Sequence, residues 1–362
     1  MPRWIRVYLI PGAIFQSIMV GGGYGTGREL VEYFVQFGIG GAFRGLLLAT
    51  LLFSTIMAFT FEFARVFKVF DYRSFLRQLI GPAWPVFEVS YLVGVILVLA
   101  VVASATAAII ENATGLPGFA GGGAMLLLIV GLNYFGRSTI MAFFTFWSVV
   151  LYLVFALYLA ALLFTHTNKV VEGLAAADVK AGWVEAALKY VGYNIGVGII
   201  ALFAIRDIRT PVEAIGSGAM AGIIAMAPAF MFTTGFAAGY PAIVKEAVPN
   251  YYMLNLLDMP WITALFLVVL VGTFIETGAG MIQGVNERID GWMMERRGRP
   301  AARGIHGGLA LVLVVLSGGL SALGVITLVA KGYGTMAWFG IAFYVLPLLT
   351  LGSWRLWQHA RR

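Results

Sequence analysis

The chain has 362 residues, 60% of them hydrophobic, 11% charged and none cysteine, with a formal net charge of +7. Such a balance excludes a soluble globular domain and marks a polytopic helical membrane protein, and because its apolar runs are continuous rather than alternating, it is no strand barrel. Lacking cysteine it has no disulfide, thiol nucleophile or thiolate metal site; His166, His306 and His359 are scattered, so no metal centre is expected; and its Lys and Arg lie mostly between apolar segments, where topology rather than nucleic-acid binding explains them.

The N-terminus, with Arg3 and Arg6 ahead of an apolar run, is similar to a signal peptide, but Pro11, Gln16 and the charged Arg28-Glu29 argue for a retained first helix. Its apolar part, Val7 to Val20, covers only about 21 Å as a helix against a hydrocarbon core of about 30 Å. Gly21-Gly22-Gly23-Tyr24-Gly25-Thr26-Gly27 follows. Each glycine costs roughly 1 kcal/mol against alanine inside a helix, so this stretch is expected to unwind. Unwound backbone is tolerated at membrane depth only where protein or a water-filled cavity satisfies its polar groups. The break is therefore a candidate binding site, with amides around Gly23, Gly25 and Thr26 placed to favour an anionic group such as a carboxylate. Arg28 to Phe37 then resumes at helical spacing. Arg28 and Glu32 stand four apart on one face, and Glu29 suits the helix start. Two readings stand for these three residues: a static salt bridge in an outer vestibule, or a gate that exchanges partners.

The first span is placed at 7–37, and the others at 41–64, 86–110, 118–136, 138–165, 183–205, 211–238, 260–286, 305–324 and 332–351. With the N-terminus inside, seventeen of the 24 Lys and Arg fall in inside loops and tails, Arg137 and Arg362 among them. The other seven are Arg28, Arg44, Lys169, Lys180, Lys189, Lys245 and Lys331. That asymmetry supports ten spans with both termini cytoplasmic.

The ten divide into five and five. The sixth span carries Tyr193-Asn194-Ile195-Gly196-Val197-Gly198, a second glycine-interrupted site at the place of the first. Leu79-Ile80-Gly81-Pro82-Ala83-Trp84, between spans two and three, is matched by Leu256-Leu257-Asp258-Met259-Pro260-Trp261 between seven and eight. Halves with an odd number of spans enter the membrane in opposite senses, and paired breaks in inverted halves point to a midplane site. The expected division is 1–166 and 183–351 for the two repeats, 167–182 for an extracellular connector and 352–362 for a cytoplasmic tail.

Several other residues carry chemistry. Glu276 lies deep in the eighth span, and an ionisable residue there is by default a functional candidate, here for carrying a proton. Thr273 and Thr277 put hydroxyl oxygens at i and i+4 on one face, and oxygen ligands suit Na⁺. Asn194 can orient a polar ligand, with Tyr193 and Tyr24 as walls or lids. Ser104 and Thr106 rank low because hydroxyls inside helices commonly bond their own backbone. Glu62 and Arg65 form an i, i+3 surface pair, Glu213 suits a helix start, and Arg296-Arg297-Gly298-Arg299 is a topology signal. Gly-Tyr-Gly at Gly23–Gly25 and Gly332–Gly334 raises a potassium-filter reading, but neither follows Thr-Val. No nucleotide-binding motif or catalytic constellation is present, so no enzyme and no cofactor beyond a coupling ion are expected.

These residues resemble the LeuT-type fold of the amino acid–polyamine–organocation superfamily. Within it, the first span is similar to the YkvI-type bacterial membrane proteins, through Gly21 to Gly27, Arg28-Glu29, Glu32-Tyr33-Phe34 and Gln36-Phe37-Gly38. The rest matches in topology, including Asn194 and Glu276-Thr277. The resemblance implies an all-α, ten-helix bundle with broken first and sixth helices, alternating access, and a bacterial cytoplasmic membrane location. It also implies that the eighth helix lies beside the first, making Arg28 a candidate partner of Glu276. Carbonyls near Val20 and Gly23 become candidate ion ligands, while Glu276-Thr277 stands where sodium sites of this fold use adjacent hydroxyl residues. The function expected is a secondary transporter of an amino acid or related zwitterion, coupled to H⁺ or Na⁺. A transporter-fold sensor or an ion channel is the alternative.

Overall fold

The computed structural model of the chain describes residues 2–135, 150 and 153–361, and every regular element among them is helical. The first span is built from pieces. A π-wound turn, Ile5–Leu9, leads into α1 (Ile10–Met19), and after a break come the single turn α2 (Gly22–Thr26) and α3 (Arg28–Tyr33). The second span is α4 (Ile39–Phe67). The amphipathic α5 (Tyr72–Ile80) then leads to α6 (Pro85–Thr114), and α7 (Gly118–Phe135) is the fourth span. Of the fifth, α8 (Leu153–Thr165) is described and bends by 87° into α9 (Thr167–Ala176), so the expected connector is partly helical. Arg137 and Arg362, with residues 138–149 and 151–152 of the expected fifth span, lie outside the described residues.

The second half comprises α10 (Trp183–Gly198), α11 (Pro211–Phe236), the short α12 (Pro249–Leu257), α13 (Pro260–Arg297), α14 (Arg303–Ser321) and α15 (Val325–Ala360). The last of these alternates α and π windings and carries the expected 352–362 tail onward as helix to Ala360. Alone, α4, α6, α11, α13, α14 and α15 are each long and apolar enough to cross a bilayer. The first span falls short because it is interrupted. On α14, Leu311, Val312, Val315 and Leu316 are exposed, an apolar face of the kind a bilayer covers. The chain is an integral membrane protein.

One short element recurs in each half of the chain. Both α5 and α12 have nine residues, and each ends shortly before a proline, Pro85 or Pro260, that opens a long helix at a position where the missing N–H is no loss. They lie on opposite faces. One face gathers both termini: Arg3 pairs with Glu213 at 2.7 Å and Arg6 with Asp207 at 3.1 Å, Arg65 at the end of α4 donates to Arg209 O, and the His359 ring packs 5.9 Å from that of Phe67. Arg288 near the end of α13 pairs with Glu88 at 2.8 Å, where Tyr72 of α5 also bonds. We call this side the terminal face. The distal face gathers the other loops. There Asp178 accepts from the Ile39 amide and the Tyr240 hydroxyl, and the Lys180 amide donates to Phe37 O.

Where α4 crosses α11 the two backbones nearly touch. A Cβ on Gly218 would lie 2.2 Å from Ala58 N, and one on Gly222 would lie 2.4 Å from Ser54 N. Ser54 Oγ completes the contact by donating to Ala219 O. Small residues that admit this approach are the usual means of helix association in lipid. At the start of α11, Thr210 and Glu213 form a reciprocal capping box with Pro211 at the first position. Thr210→Ala should lower stability by about 1 kcal/mol, read as a lower midpoint in thermal unfolding.

Candidate functional site: a cavity at the broken first helix

The first helix stops at Met19 because Val20 turns out of helical space (φ −77°, ψ 72°) and Gly21 is extended (φ −102°, ψ −163°). Contrary to expectation, Gly22 to Thr26 do not stay unwound but form the turn α2. The chain then needs a left-handed residue, and Gly27 supplies it at φ 80°. The sixth span also departs from expectation. Tyr193 to Gly198, including Gly196, remain α-helical, and the winding tightens to 3₁₀ only over Ile199–Ile205.

Gly21 and Gly23 at the break and Tyr193, Asn194 and Gly196 of α10 line one cavity of about 120 Å³, together with Thr277 of α13. It extends toward the terminal face, reaching Val86 and Phe87 in the first turn of α6, while Tyr333, Met336 and Phe343 of α15 form its far wall. On its distal side the rings of Tyr33, Tyr190 and Tyr193 pack with centroids 5.4–5.8 Å apart, and Tyr333 lies 5.0 Å from Tyr193. Tyr333 ends the π-wound turn Leu328–Tyr333.

Glu29, expected as a gate residue, is a wall of this cavity. It is 4% exposed, and its Oε2 accepts from the Tyr193 hydroxyl at 2.5 Å, tying α3 to α10. The carboxyl folds back over Gly23, so that a Cβ there would stand 2.0 Å from Glu29 Oε1. One glycine of the break thus houses the acid that follows it. Asn194 uses its amide nitrogen on Tyr190 O within its own helix, at 3.0 Å, which leaves its carbonyl oxygen for the cavity.

Arg28 turns the other way. Its guanidinium donates to Glu32 at 2.5 Å, to Val244 O at 2.9 Å and to Glu246 O at 3.0 Å, holding the loop between α11 and α12 over the distal end of the first span. The candidate pairing with Glu276 is replaced by these bonds. Glu276 is half-buried on α13 and outside the cavity wall. The eighth span does lie beside the break, with Thr277 against Gly21 and Thr273 against Gly25. The Thr273 hydroxyl donates to Val269 O in its own helix, and the Val20 amide donates to Gln16 O.

The remaining glycine-stretch residues are structural in this arrangement. Gly25 gives its amide to Gly21 O and its carbonyl to Asn250, Thr26 bonds Gly23 O, and Tyr24 is buried against Phe232. Of the amides expected to grip a carboxylate, that of Gly25 is thus committed to Gly21 O. The Gly-Tyr-Gly triplets lie within helical segments of different spans, so neither forms a filter loop. Sequence reading missed the contribution of α6 and α15. Its signal was present: Ser90, Gly94 and Val98 recur at i, i+4 and i+8, one face of a helix.

No family model matches the chain, and no curated protein matches its sequence. Solved structures do. A Na⁺-coupled sialic acid symporter in a substrate-bound, outward-open state superposes with a TM-score of 0.64 at 15% identity, over 97% of this chain and 79% of that one. A manganese transporter of Eremococcus coleocola gives 0.57 at 15% identity, over 95% and 78%. The likeness establishes the fold, an all-α bundle shared with these two transporters.

Proposed function

We propose that the chain is a secondary transporter that moves a small organic solute, an amino acid or related zwitterion, by alternating access coupled to H⁺ or Na⁺. The observation that carries this reading is that the first-helix break and the sixth span wall one cavity, with the eighth span alongside. The likeness of Gly21–Gly27 and its flank to YkvI-type proteins supports a place in the amino acid–polyamine–organocation superfamily, in a bacterial cytoplasmic membrane with the terminal face cytoplasmic. On this reading the cavity faces the terminal side while Arg28 and its loop seal the distal side. Glu276 and Thr277 are the coupling candidates.

The cargoes of the structural relatives do not carry over. An apolar cavity of roughly 150 Å³ holds benzene, so 120 Å³ suits a solute far smaller than a sugar acid. Among the described residues no group of three His, Cys, Asp or Glu could hold a metal ion. Counterflow in liposomes tests the proposal: labelled solute should accumulate against unlabelled internal solute. Saturable binding without such exchange would make the protein a sensor and overturn the transport reading.

A further inference from the structure

We infer that the cavity recognises its solute by a protonated amine on a compact apolar body, with Glu29 as the counter-ion. The inference rests on the cavity being the solute site and names what that site selects.

Three features converge. First, the cavity is charged with one sign only. Glu29 is its carboxylate, and among the described residues no Lys, Arg or His lines it. The neighbouring Arg28 is committed to Glu32 and two loop carbonyls, and Arg288, stacked 3.7 Å over the cavity residue Tyr91, is paired with Glu88. An ionised group at membrane depth is costly unless something pairs with it, and here the protein supplies a single phenol hydroxyl. A solute ammonium would complete the set.

Second, the wall offers acceptors to a donor. With Glu29 Oε2 bonded to Tyr193 and Asn194 Nδ2 bonded to Tyr190 O, the hydroxyls of Ser90, Thr277 and Tyr333 can accept as well as donate, and Glu29 Oε1 and Asn194 Oδ1 remain as pure acceptors. An ammonium brings three donors and no acceptor, which matches this pair; a carboxylate brings only acceptors and would meet Glu29 charge to charge. A zwitterion is accommodated with its carboxylate turned away from Glu29.

Third, the rest of the wall is aromatic and apolar. Phe87, Tyr193, Tyr333, Phe339 and Phe343 surround the space. Ring faces attract cations most strongly where water is excluded, and the volume keeps the body below the size of one six-membered ring.

Isobutylamine and its anionic counterpart isobutyrate are the probes. Binding to the purified full chain is read by ligand-induced thermal shift. Isobutylamine should bind saturably and isobutyrate should not. Glu29→Gln should weaken isobutylamine by at least about tenfold, equivalent to about 1.4 kcal/mol. Gly23→Ala provides a second route should Glu29→Gln fold poorly: its Cβ displaces the Glu29 carboxyl without altering the acid, and should also weaken isobutylamine. Gly123→Ala, at a position with open space around it, should bind as wild type. Isobutyrate binding as tightly as isobutylamine, isobutylamine failing to bind the wild type, or unchanged affinity in Gly23→Ala would overturn the inference. The two readings fail separately. Glu29-dependent isobutylamine binding without counterflow removes transport and keeps the amine site. Counterflow of an anionic solute unaffected by Glu29→Gln removes the amine site and keeps transport.

Discussion

Arg28→Met should destabilise the protein by about 3 kcal/mol, the lower end of the range for breaking a buried ion pair by removing one partner. The guanidinium is 3% exposed and satisfies Glu32, Val244 O and Glu246 O together. Methionine fills similar volume and supplies no donor, so a carboxylate and two carbonyls lose their partner at once. Glu32 retains 16% exposure, so water relieves part of the loss and the estimate stays at the lower end. Adding Glu32→Gln removes the stranded charge and should recover part of the stability, as coupled partners do in a double-mutant cycle. The measurement is the thermal midpoint of the purified protein for wild type, both singles and the double. A double mutant whose loss equals the sum of the singles would mean that Arg28 acts through the loop carbonyls and packing, not through Glu32.

Gly218→Ala and Gly222→Ala should each cost about 1–3 kcal/mol, the usual range for forcing extra carbon into a packed interior, with larger side chains abolishing the folded protein. The obstacle at each position is the main chain of α4: Ala58 N and Cα at 2.2 and 2.4 Å from the added Cβ of Gly218, and Ser54 N at 2.4 Å from that of Gly222. A flexible side chain can rotate aside, but a helix backbone can yield only if the whole helix shifts. Gly123→Ala on α7, with open space around its Cβ, is the control and should leave the yield of monodisperse protein unchanged. Normal yield and midpoint for Gly218→Leu would show that the second and seventh spans do not approach this closely.

The architecture was legible because a bilayer imposes its own grammar: long apolar runs, charges between them, and glycine where a rod must break. Most expected spans match the described helices within about four residues, but α13 runs eleven residues past the expected end at 286, α15 extends well beyond 332–351 at both ends, and most of 138–165 lies outside the described residues. The Leu79–Trp84 and Leu256–Trp261 segments begin in the last turns of corresponding short helices in the two halves. The site was legible only in part. The five glycines marked the break, but composition could not say that Val20 and Gly21 would take the whole bend and let Gly22 to Thr26 wind into a turn. That outcome depends on partners distant in sequence, such as Asn250 bonding Gly25 O. In the sixth span, glycines at 196 and 198 suggested a gap, yet two glycines in an apolar helix are tolerated when neighbours pack against it. Glu29 was noticed and its partner was not. Only folding shows that the acid turns back over Gly23 to meet a phenol 164 positions away.

The Arg28 contact has one further property. Arg28 fastens the loop after α11 by its peptide carbonyls at 244 and 246, not by any side chain there. Whatever residues occupy those two positions, the fastening points are the same, so an alanine scan of the loop would pass over the contact in silence. Only residue 28, or a change in the path of the loop itself, can reveal that the clasp exists.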